Sequence, residues 1–255
     1  MLSIFPIPAF NDNYIWILVD EVNQYAIVVD PGDATPVLAF LQQRQLTLSA
    51  ILITHKHHDH TGGIVALLSV FPNTQVFSHP LEKVMQTTHP VSDNDVISIH
   101  DNDFSVMCIP GHTLGHVAYY CSPILFCGDT LFANGCGRVF EGTAEQMLQS
   151  LQKLMTLPDE TKVYCGHEYT VSNIAFALHV EPNNIALQKR FETAKQLRSN
   201  HQPTVPSTMA LEKLTNPFLR THVSSVMDAI SKKAGRVLDS DVAVFAALRE
   251  WKNAF

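Results

Sequence analysis

The chain has 255 residues, is 46% hydrophobic and carries a net charge of −7, so it can bury a sizeable core and is not a disordered chain. No apolar run approaches the roughly 18 residues that a membrane span needs, and the start lacks the features of a signal peptide. These two absences favour a soluble cytoplasmic protein. Five cysteines without a Cys-x-x-Cys pair exclude a disulfide framework, which fits a reducing compartment.

The charge is unevenly spread along the chain. Residues 1–182 hold 6 Lys and Arg against 18 Asp and Glu, a balance of −12, whereas residues 183–255 hold 11 against 6, a balance of +5. Bound cations could offset the acidic excess, and the basic last third could attract an anionic ligand. Ordinary solvated helix faces would also explain these numbers.

Strand patterns dominate the first two thirds of the chain. Runs of β-forming residues predict strands at 14–20, 25–30, 50–53, 96–99, 104–109, 116–121, 124–127 and 163–165. Helices are predicted over 36–46, 64–68 and 143–154, the last of which opens on a possible capping residue, Thr143.

Helical patterns take over after about residue 170. They are predicted at 171–179, 184–199, 222–233 and 240–251. The pattern therefore indicates an αβ-layered domain over about 1–170 and a helical appendage over about 171–255.

The segment from Thr54 to His60 reads Thr-His-Lys-His-His-Asp-His and holds four of the chain's 13 histidines. An apolar run of strand length ends before it, and a predicted buried helix follows it. The histidines therefore lie on a strand-to-helix loop, where rigid elements can aim side chains at one point. Imidazoles and a carboxylate packed this closely indicate a metal site rather than a solvated loop of accidental composition.

Three more potential ligands each follow a predicted strand and stand next to glycine. They are His112 in Gly-His-Thr, Asp129 in Gly-Asp-Thr and His167 in Gly-His-Glu. Taken singly, Asp129 could be a turn residue or helix cap, and His112 a hydrogen-bonded loop histidine. His116 is interpreted either as a residue that supports the ligands or as a structural one. The joint order His-x-His-x-Asp-His, His, Asp, His is far more specific, because ligands at several strand ends can converge on one edge of a sheet.

These motifs resemble those of the metallo-β-lactamase fold hydrolases, and within that superfamily the chain is similar to the glyoxalase II, or hydroxyacylglutathione hydrolase, family. The resemblance covers essentially the whole chain. The His-rich segment alone gives only the superfamily, whereas Gly-His-Glu-Tyr at 166–169 and Asn-Pro-Phe-Leu-Arg at 216–220 point to the thioesterases. It implies an α/β fold: an αββα sandwich over 1–170 as the metal-binding catalytic domain, and a helical substrate-binding domain over 171–255.

The resemblance also implies two divalent metal ions held by histidine and aspartate. The implied ligands are His55, His57 and His112 for the first ion, Asp59, His60 and His167 for the second, and Asp129 as the bridge. His58 has no ligand role in that pattern, and Asp30 matches the family's structural acidic residue near the site. A ligand set without thiolate suits Zn(II), Fe(II) or Mn(II), and the resemblance implies zinc, with iron and manganese also found in the family.

In the implied reaction, a hydroxide between the metals attacks the thioester of S-(2-hydroxyacyl)glutathione, typically S-lactoylglutathione, with Asp59 and Asp129 as catalytic ligands. A two-metal site lowers the pKa of bound water from about 15.7 towards 7. Two dications, two carboxylates, one hydroxide and five neutral imidazoles sum to about +1, which favours a developing oxyanion. The leaving thiolate, with a pKa near 8.5 for the free thiol, needs no strong general acid.

By resemblance, Arg138, Tyr169, Arg249 and Lys252 contact the glutathione. Arg249 and Lys252 are three apart on a predicted helix and so share a face, for which a solvated helix face is the alternative. Family members often have tyrosine where this chain has Phe140, and the lost hydroxyl would cost about 1 kcal/mol if the hydrogen bond is otherwise made.

Two other functions fit parts of the pattern. One is a metal-dependent nuclease or phosphodiesterase of the same superfamily, and the other is a metal-binding or redox-sensing module without turnover. The negative charge and the lack of a basic–aromatic stripe argue against nucleic acid, and the complete bridging ligand set argues against a module without turnover. We expect a monomer that acts on a small glutathione thioester, without nucleic-acid or membrane partners.

Overall fold

The computed structural model describes residues 2–255 and has a mixed α/β architecture, which confirms the predicted fold class. The strands are β1 (Ser3–Ala9), β2 (Asn13–Asp20), β3 (Tyr25–Val29), β4 (Thr47–Leu52), β5 (Gln75–Ser78), β6 (His89–Pro90), β7 (Val96–Ile99), β8 (Asn102–Cys108), β9 (Val117–Cys121), β10 (Ile124–Gly128), β11 (Leu131–Phe132), β12 (Gly135–Cys136), β13 (Lys162–Cys165) and β14 (Ser207–Thr208).

The helices are α1 (Ala34–Arg44), α2 (His58–Thr61), α3 (Ile64–Val70), α4 (Ala144–Met155), α5 (Thr170–Val180), α6 (Ile185–Ser199), α7 (Met209–Thr215), α8 (Ser224–Ala234) and α9 (Asp241–Asn253). Short turns of 3₁₀ helix lie at Pro80–Glu82 and Pro217–Leu219. No helix within residues 2–255 is both long and apolar enough to cross a membrane.

Contacts divide the chain into two compact units. Unit 1 holds the residues up to 108 together with 113–128, and unit 2 holds 109–112 together with 129–255. The domain boundary predicted near residue 170 stays a prediction.

Unit 1 contains a six-stranded sheet in the order β1-β2-β3-β4-β5-β6. β1, β2 and β3 pair antiparallel, whereas β3 to β6 pair in parallel. Parallel neighbours need a crossover, and α1 and α3 serve as such connections. Both helices bury apolar side chains in the same core as the sheet, through Val37 and Leu41 of α1 and Ile64 and Leu67 of α3.

Helix α1 begins and ends two residues earlier than the apolar pattern predicts. At its start, the Asp33 carboxylate accepts a hydrogen bond from the Thr35 N–H at 2.8 Å, which caps the helix. At its end, Gln45 adopts a left-handed conformation with a φ of 56°. Leu46 is buried beyond that point, and it therefore continued the apolar pattern past the true end of the helix.

Strands β7, β8, β9 and β10 form an antiparallel layer of unit 1. Tyr119 of β9 connects this layer to the first sheet, because its hydroxyl donates to the Ile53 carbonyl at 3.0 Å and lies 3.2 Å from the Phe77 carbonyl. The side chain is fully buried, and burial raises the pKa of the Tyr119 phenol well above its usual value. Unit 1 is therefore layered as helices, sheet, sheet.

Unit 2 is mainly helical. Helix α4 opens on the predicted capping residue, where Thr143 and Gln146 each accept a hydrogen bond from the other's backbone N–H. Helices α5 and α6 pack through Ile174, Ala177 and Leu187.

A buried polar network of unit 2 fixes the β11–β12 hairpin. The Arg190 guanidinium pairs with the Glu212 carboxylate at 2.5 Å, and Glu212 accepts the Asn134 N–H at 2.7 Å. Asn216 donates to the Gly135 carbonyl at 2.9 Å. The Asn-Pro-Phe-Leu-Arg segment therefore begins with a residue that holds this hairpin.

Candidate metal centre

The histidine-rich segment lies where the sequence predicts it, between a strand and a helix. Strand β4 ends at Leu52, and α2 begins at His58. His55 and His60 are buried, with 0% and 1% exposure, whereas His58 is exposed. The exposure of His58 agrees with its lack of a ligand role in the family pattern.

Asp30 sets the tautomer of the two buried histidines. Its carboxylate accepts the Thr54 N–H at 2.7 Å and the Thr54 hydroxyl at 2.6 Å. Because that hydroxyl hydrogen is directed at the carboxylate, Thr54 Oγ1 accepts from His55 Nδ1 at 3.1 Å. Asp30 also accepts from His60 Nδ1 at 3.0 Å. Both rings therefore keep their proton on Nδ1 and present Nε2 as the lone-pair nitrogen.

The other donors of unit 1 stand at the spacing of metal ligands. His55 Nε2 is 3.0 Å from His57 Nδ1, and His60 Nε2 is 3.5 Å from Asp59 Oδ2. Two nitrogen ligands of one tetrahedral ion, each about 2.1 Å from it, lie about 3.4 Å apart. Asp30 also lies within 4.8 Å of His55 and His60, but its carboxylate is bonded to Thr54 and His60 Nδ1, so it positions the ligands.

Unit 2 brings together the three later ligand candidates. Asp129 Oδ2 lies 3.2 Å from His167 Nε2 and 3.6 Å from His112 Nε2. His112 Nδ1 donates to the Arg138 carbonyl at 2.8 Å, so Nε2 is the lone-pair nitrogen of this ring too. A β-carbon at Gly137 would lie 1.9 Å from the Asp129 carbonyl oxygen, and only glycine allows this close approach.

Two buried residues that the sequence did not predict position these donors. Asn13 Nδ2 donates to Asp59 Oδ2 at 2.9 Å. The Glu82 carboxylate accepts the N–H of Lys56 at 2.7 Å and that of Gly115 at 2.8 Å. Neither Asn13 nor Glu82 left a signal in the sequence, because neither belongs to a periodic pattern.

The segment that carries His167 and Tyr169 is held by the residue between them. The Glu168 side chain is buried, and its carboxylate accepts from the backbone N–H of Thr204 at 2.8 Å and from the Thr204 hydroxyl at 2.5 Å. The His167 and Tyr169 rings stack with centroids 4.7 Å apart and planes 5° apart. A predicted substrate residue is thus fixed beside a predicted ligand.

The predicted substrate residues all belong to unit 2 and differ in exposure. Arg138 is exposed and Tyr169 half-buried. Arg249 is only 8% exposed, and it donates from Nη1 to the Cys136 carbonyl at 2.8 Å and from Nε to Asn253 Oδ1 at 3.0 Å. No group within residues 2–255 accepts a hydrogen bond from its Nη2, so that nitrogen is available to an anion.

Lys252 lies half-buried on the same helix as Arg249. Its Nζ donates to the Ser172 carbonyl at 3.3 Å and stands 5.1 Å from the Phe176 ring centroid. Burial, and then the positive charge of Arg249, lowers the pKa of Lys252 to about 8. The Phe140 ring is 60% exposed and lies 5.2 Å from the ring of His112.

The donor set fits divalent metal ions. Each unit places imidazole nitrogens and a carboxylate oxygen at the spacing of metal ligands. His55, His60 and His112 each form a hydrogen bond through Nδ1, which leaves the lone pair on Nε2 for a metal ion. The cysteines near these motifs stay out of the set. Cys127, Cys136 and Cys165 are buried, burial raises the pKa of the Cys165 thiol, and it raises the pKa of the Cys136 thiol more than Arg249 lowers it.

Comparison with known proteins gives a match along the whole chain. Residues 11–167 match the family model described as "Metallo-beta-lactamase superfamily", and residues 168–255 match "Hydroxyacylglutathione hydrolase C-terminus". The chain is 56% identical to the hydroxyacylglutathione hydrolase of Aliivibrio salmonicida and 54% identical to that of Aliivibrio fischeri, in each case over 100% of both chains. The crystal structure of ETHE1 from Myxococcus xanthus, 24% identical, matches with a TM-score of 0.67 over 100% of this chain and 99% of that one. This likeness supports the predicted metallo-β-lactamase fold.

We expect Thr54→Val to weaken binding of Zn²⁺ by about 10- to 100-fold, because it removes the hydroxyl that orients His55. Competition with a chromophoric chelator measures the affinity. Thr54→Ser keeps the hydroxyl and should bind as tightly as the parent protein. Equal affinities of the two variants would show that Thr54 does not control the histidine.

Proposed function

The chain belongs to the hydroxyacylglutathione hydrolase family of the metallo-β-lactamase superfamily, and on that premise we propose that it hydrolyses S-(2-hydroxyacyl)glutathione thioesters. The typical substrate is S-lactoylglutathione, and the products are glutathione and the 2-hydroxy acid. This is the second step of methylglyoxal detoxification. The observation that carries the proposal is the 56% identity over the full length, which includes the C-terminal region as well as the metal motifs.

We assign the donors to two ions as the family pattern implies. The first ion would be held by His55, His57 and His112, the second by Asp59, His60 and His167, and both by Asp129. The tautomers support this assignment, since His55, His60 and His112 each have a hydrogen-bond acceptor at Nδ1. The proposed catalytic domain spans residues 1–170.

When bound, a pair of divalent cations lowers the pKa of a coordinated water and polarises the substrate carbonyl. The residues of the chain keep the charge of such a centre low, because Asp59 and Asp129 contribute two negative charges and the five imidazoles are neutral ligands. A thiol with a pKa near 8.5 leaves as thiolate without a strong acid beside it. The carboxylates therefore serve as ligands rather than as proton donors.

Glutathione is anionic, so its proposed site needs cations and hydrogen-bond donors. The helical domain proposed over 171–255 supplies Arg249 and Lys252, and Arg138 and Tyr169 complete the set. Arg249 suits this role because two of its nitrogens are already held by Cys136 and Asn253, which orients Nη2 before the ligand arrives.

We further propose zinc as the metal, with iron or manganese as alternatives, and a monomer in the cytoplasm as the working state. The zinc proposal rests on ligand chemistry and on the family. The five cysteines are thiols rather than disulfides, which supports a reducing compartment.

The first test is turnover. Metal-loaded protein should hydrolyse S-lactoylglutathione, measured as the loss of thioester absorbance, and should leave an RNA substrate intact. Asp129→Ala should lower bound metal and turnover together, because the residue is proposed to contact both ions. Asp239→Ala, at an exposed position, is the matched control. No thioester turnover would refute the function, and full activity with two metals in Asp129→Ala would refute the bridge.

The second test is the pH dependence of substrate binding. Because the pKa of Lys252 is lowered to about 8, its positive charge is present below that pH and is lost as the pH rises through it. The KM for S-lactoylglutathione should therefore rise by about fivefold above pH 8, as expected for the loss of roughly 1 kcal/mol from one ion pair.

The control for this test is Lys252→Arg, which stays charged throughout and should show a level KM over the same pH range. If KM depended on pH in the same way in the parent protein and in Lys252→Arg, Lys252 would have no role in substrate binding.

A further inference from the structure

Phe10 is a large apolar side chain in an exposed position next to a proposed metal ligand. It lies on the turn between β1 and β2, and it is 57% exposed. A single exposed apolar residue is common on protein surfaces and by itself needs no explanation. Its backbone is what sets Phe10 apart.

The backbone of Phe10 is left-handed, with a φ of 51°. That conformation favours glycine or asparagine, and it costs a bulky residue about 1–2 kcal/mol. Asparagine at this position would satisfy the turn better. A phenylalanine that is both strained and largely in water adds little to folding, and strain of this kind is concentrated at functional sites.

The turn lies near Asp59, through a glycine that both Phe10 and Asp59 approach and through a hydrogen bond of Asn13. A β-carbon at Gly32 would lie 1.9 Å from the Asp59 carbonyl oxygen and 2.9 Å from Cε2 of Phe10, so the aromatic ring and the Asp59 backbone both pack against this glycine. Asn13, three residues after Phe10, donates to the Asp59 carboxylate at 2.9 Å. The ring is therefore held at a fixed place beside Asp59, all within unit 1.

We propose that the Phe10 ring contacts the acyl group of the thioester and sets the acyl preference, an inference that rests on the proposed function. The acyl substituent is bonded directly to the carbonyl carbon that reacts at the metal donors, so it has to lie close to them. Phe10 packs against the same glycine as the backbone of Asp59, one of the proposed ligands. Its apolar face suits a hydrocarbon substituent and offers nothing to the charged groups of glutathione, for which the proposed partners all lie in unit 2.

A purely structural role for Phe10 leads to a different expectation. If the ring only shaped the turn, replacing it would change stability and would change turnover of all thioesters by the same factor. A ring that contacts the acyl group changes the ratio between substrates that differ only in that group. The substrate ratio therefore separates the two roles.

The experiment compares kcat/KM for S-glycoloylglutathione, S-lactoylglutathione and S-mandeloylglutathione, since the first two differ by one methyl group. In Phe10→Ala and Phe10→Gly, the preference for lactoyl over glycoloyl should fall by up to about tenfold, which is the low end of what one methyl group contributes in an apolar pocket. Phe10→Leu should keep the preference within about twofold, because it keeps an apolar contact.

Two further measurements and one control variant accompany the ratio of kcat/KM values. Phe10→Gly should raise Tm, because glycine adopts a positive φ without strain. Val22→Ala, at a position 90% exposed on the turn after β2, is the control and should leave the preference unchanged. The metal content of every variant is measured, because a displaced Asp59 would slow all three substrates equally.

An unchanged lactoyl-to-glycoloyl ratio in both Phe10→Ala and Phe10→Gly, with an active parent protein, would overturn the role of Phe10 alone. A parent protein that hydrolyses none of the three thioesters would overturn the proposed function and this inference with it. A reduced ratio with full metal content would support the acyl contact.

Discussion

The candidate metal centre of unit 1 depends on the hydrogen bonds that the buried carboxylate of Asp30 accepts. It accepts hydrogen bonds from the Thr54 amide, the Thr54 hydroxyl and His60 Nδ1, and through the hydroxyl it also fixes His55. A neutral imidazole has one lone-pair nitrogen, so an acceptor at Nδ1 decides that Nε2 is the ligand. The Arg138 carbonyl does the same for His112 in unit 2.

The sequence was informative wherever the signal was local. The apolar run before Thr54, the glycine beside each later ligand and the capping pattern at Thr143 all lie within a few residues of what they predict. The fold class and the strand-to-helix loop follow from such short patterns. The ligand list came from the family resemblance rather than from spacing alone.

The groups that position the ligands could not be predicted in this way. Asn13 and Glu82 act on residues 46 and 26 positions away, and Glu212 holds a hairpin 78 positions away. Each is a single polar side chain that bonds a distant partner, so it leaves no periodicity to detect. Helix α7, which carries Glu212, was missed because it is short and lies between prolines.

Chemistry and selectivity belong to different parts of the proposed enzyme. The proposed histidine and aspartate ligands would supply a general metallohydrolase centre, which many substrates could use. The proposed glutathione contacts come from unit 2, where Arg249 is buried and oriented and Lys252 is half-buried with a lowered pKa. The proposed acyl contact, Phe10, belongs to unit 1. The proposed contacts to the glutathione moiety and to the acyl group thus belong to separate segments of the chain. Each segment can be mutated without changing the other.

The central proposal is that the histidine and aspartate ligands hold two metal ions and that Asp129 contacts both. An anomalous-scattering map from crystals of the metal-loaded protein tests it most directly. The proposed assignment predicts two peaks about 3.5–4 Å apart, with Asp129 in contact with both. A single peak, or two peaks of which Asp129 contacts only one or neither, would contradict it.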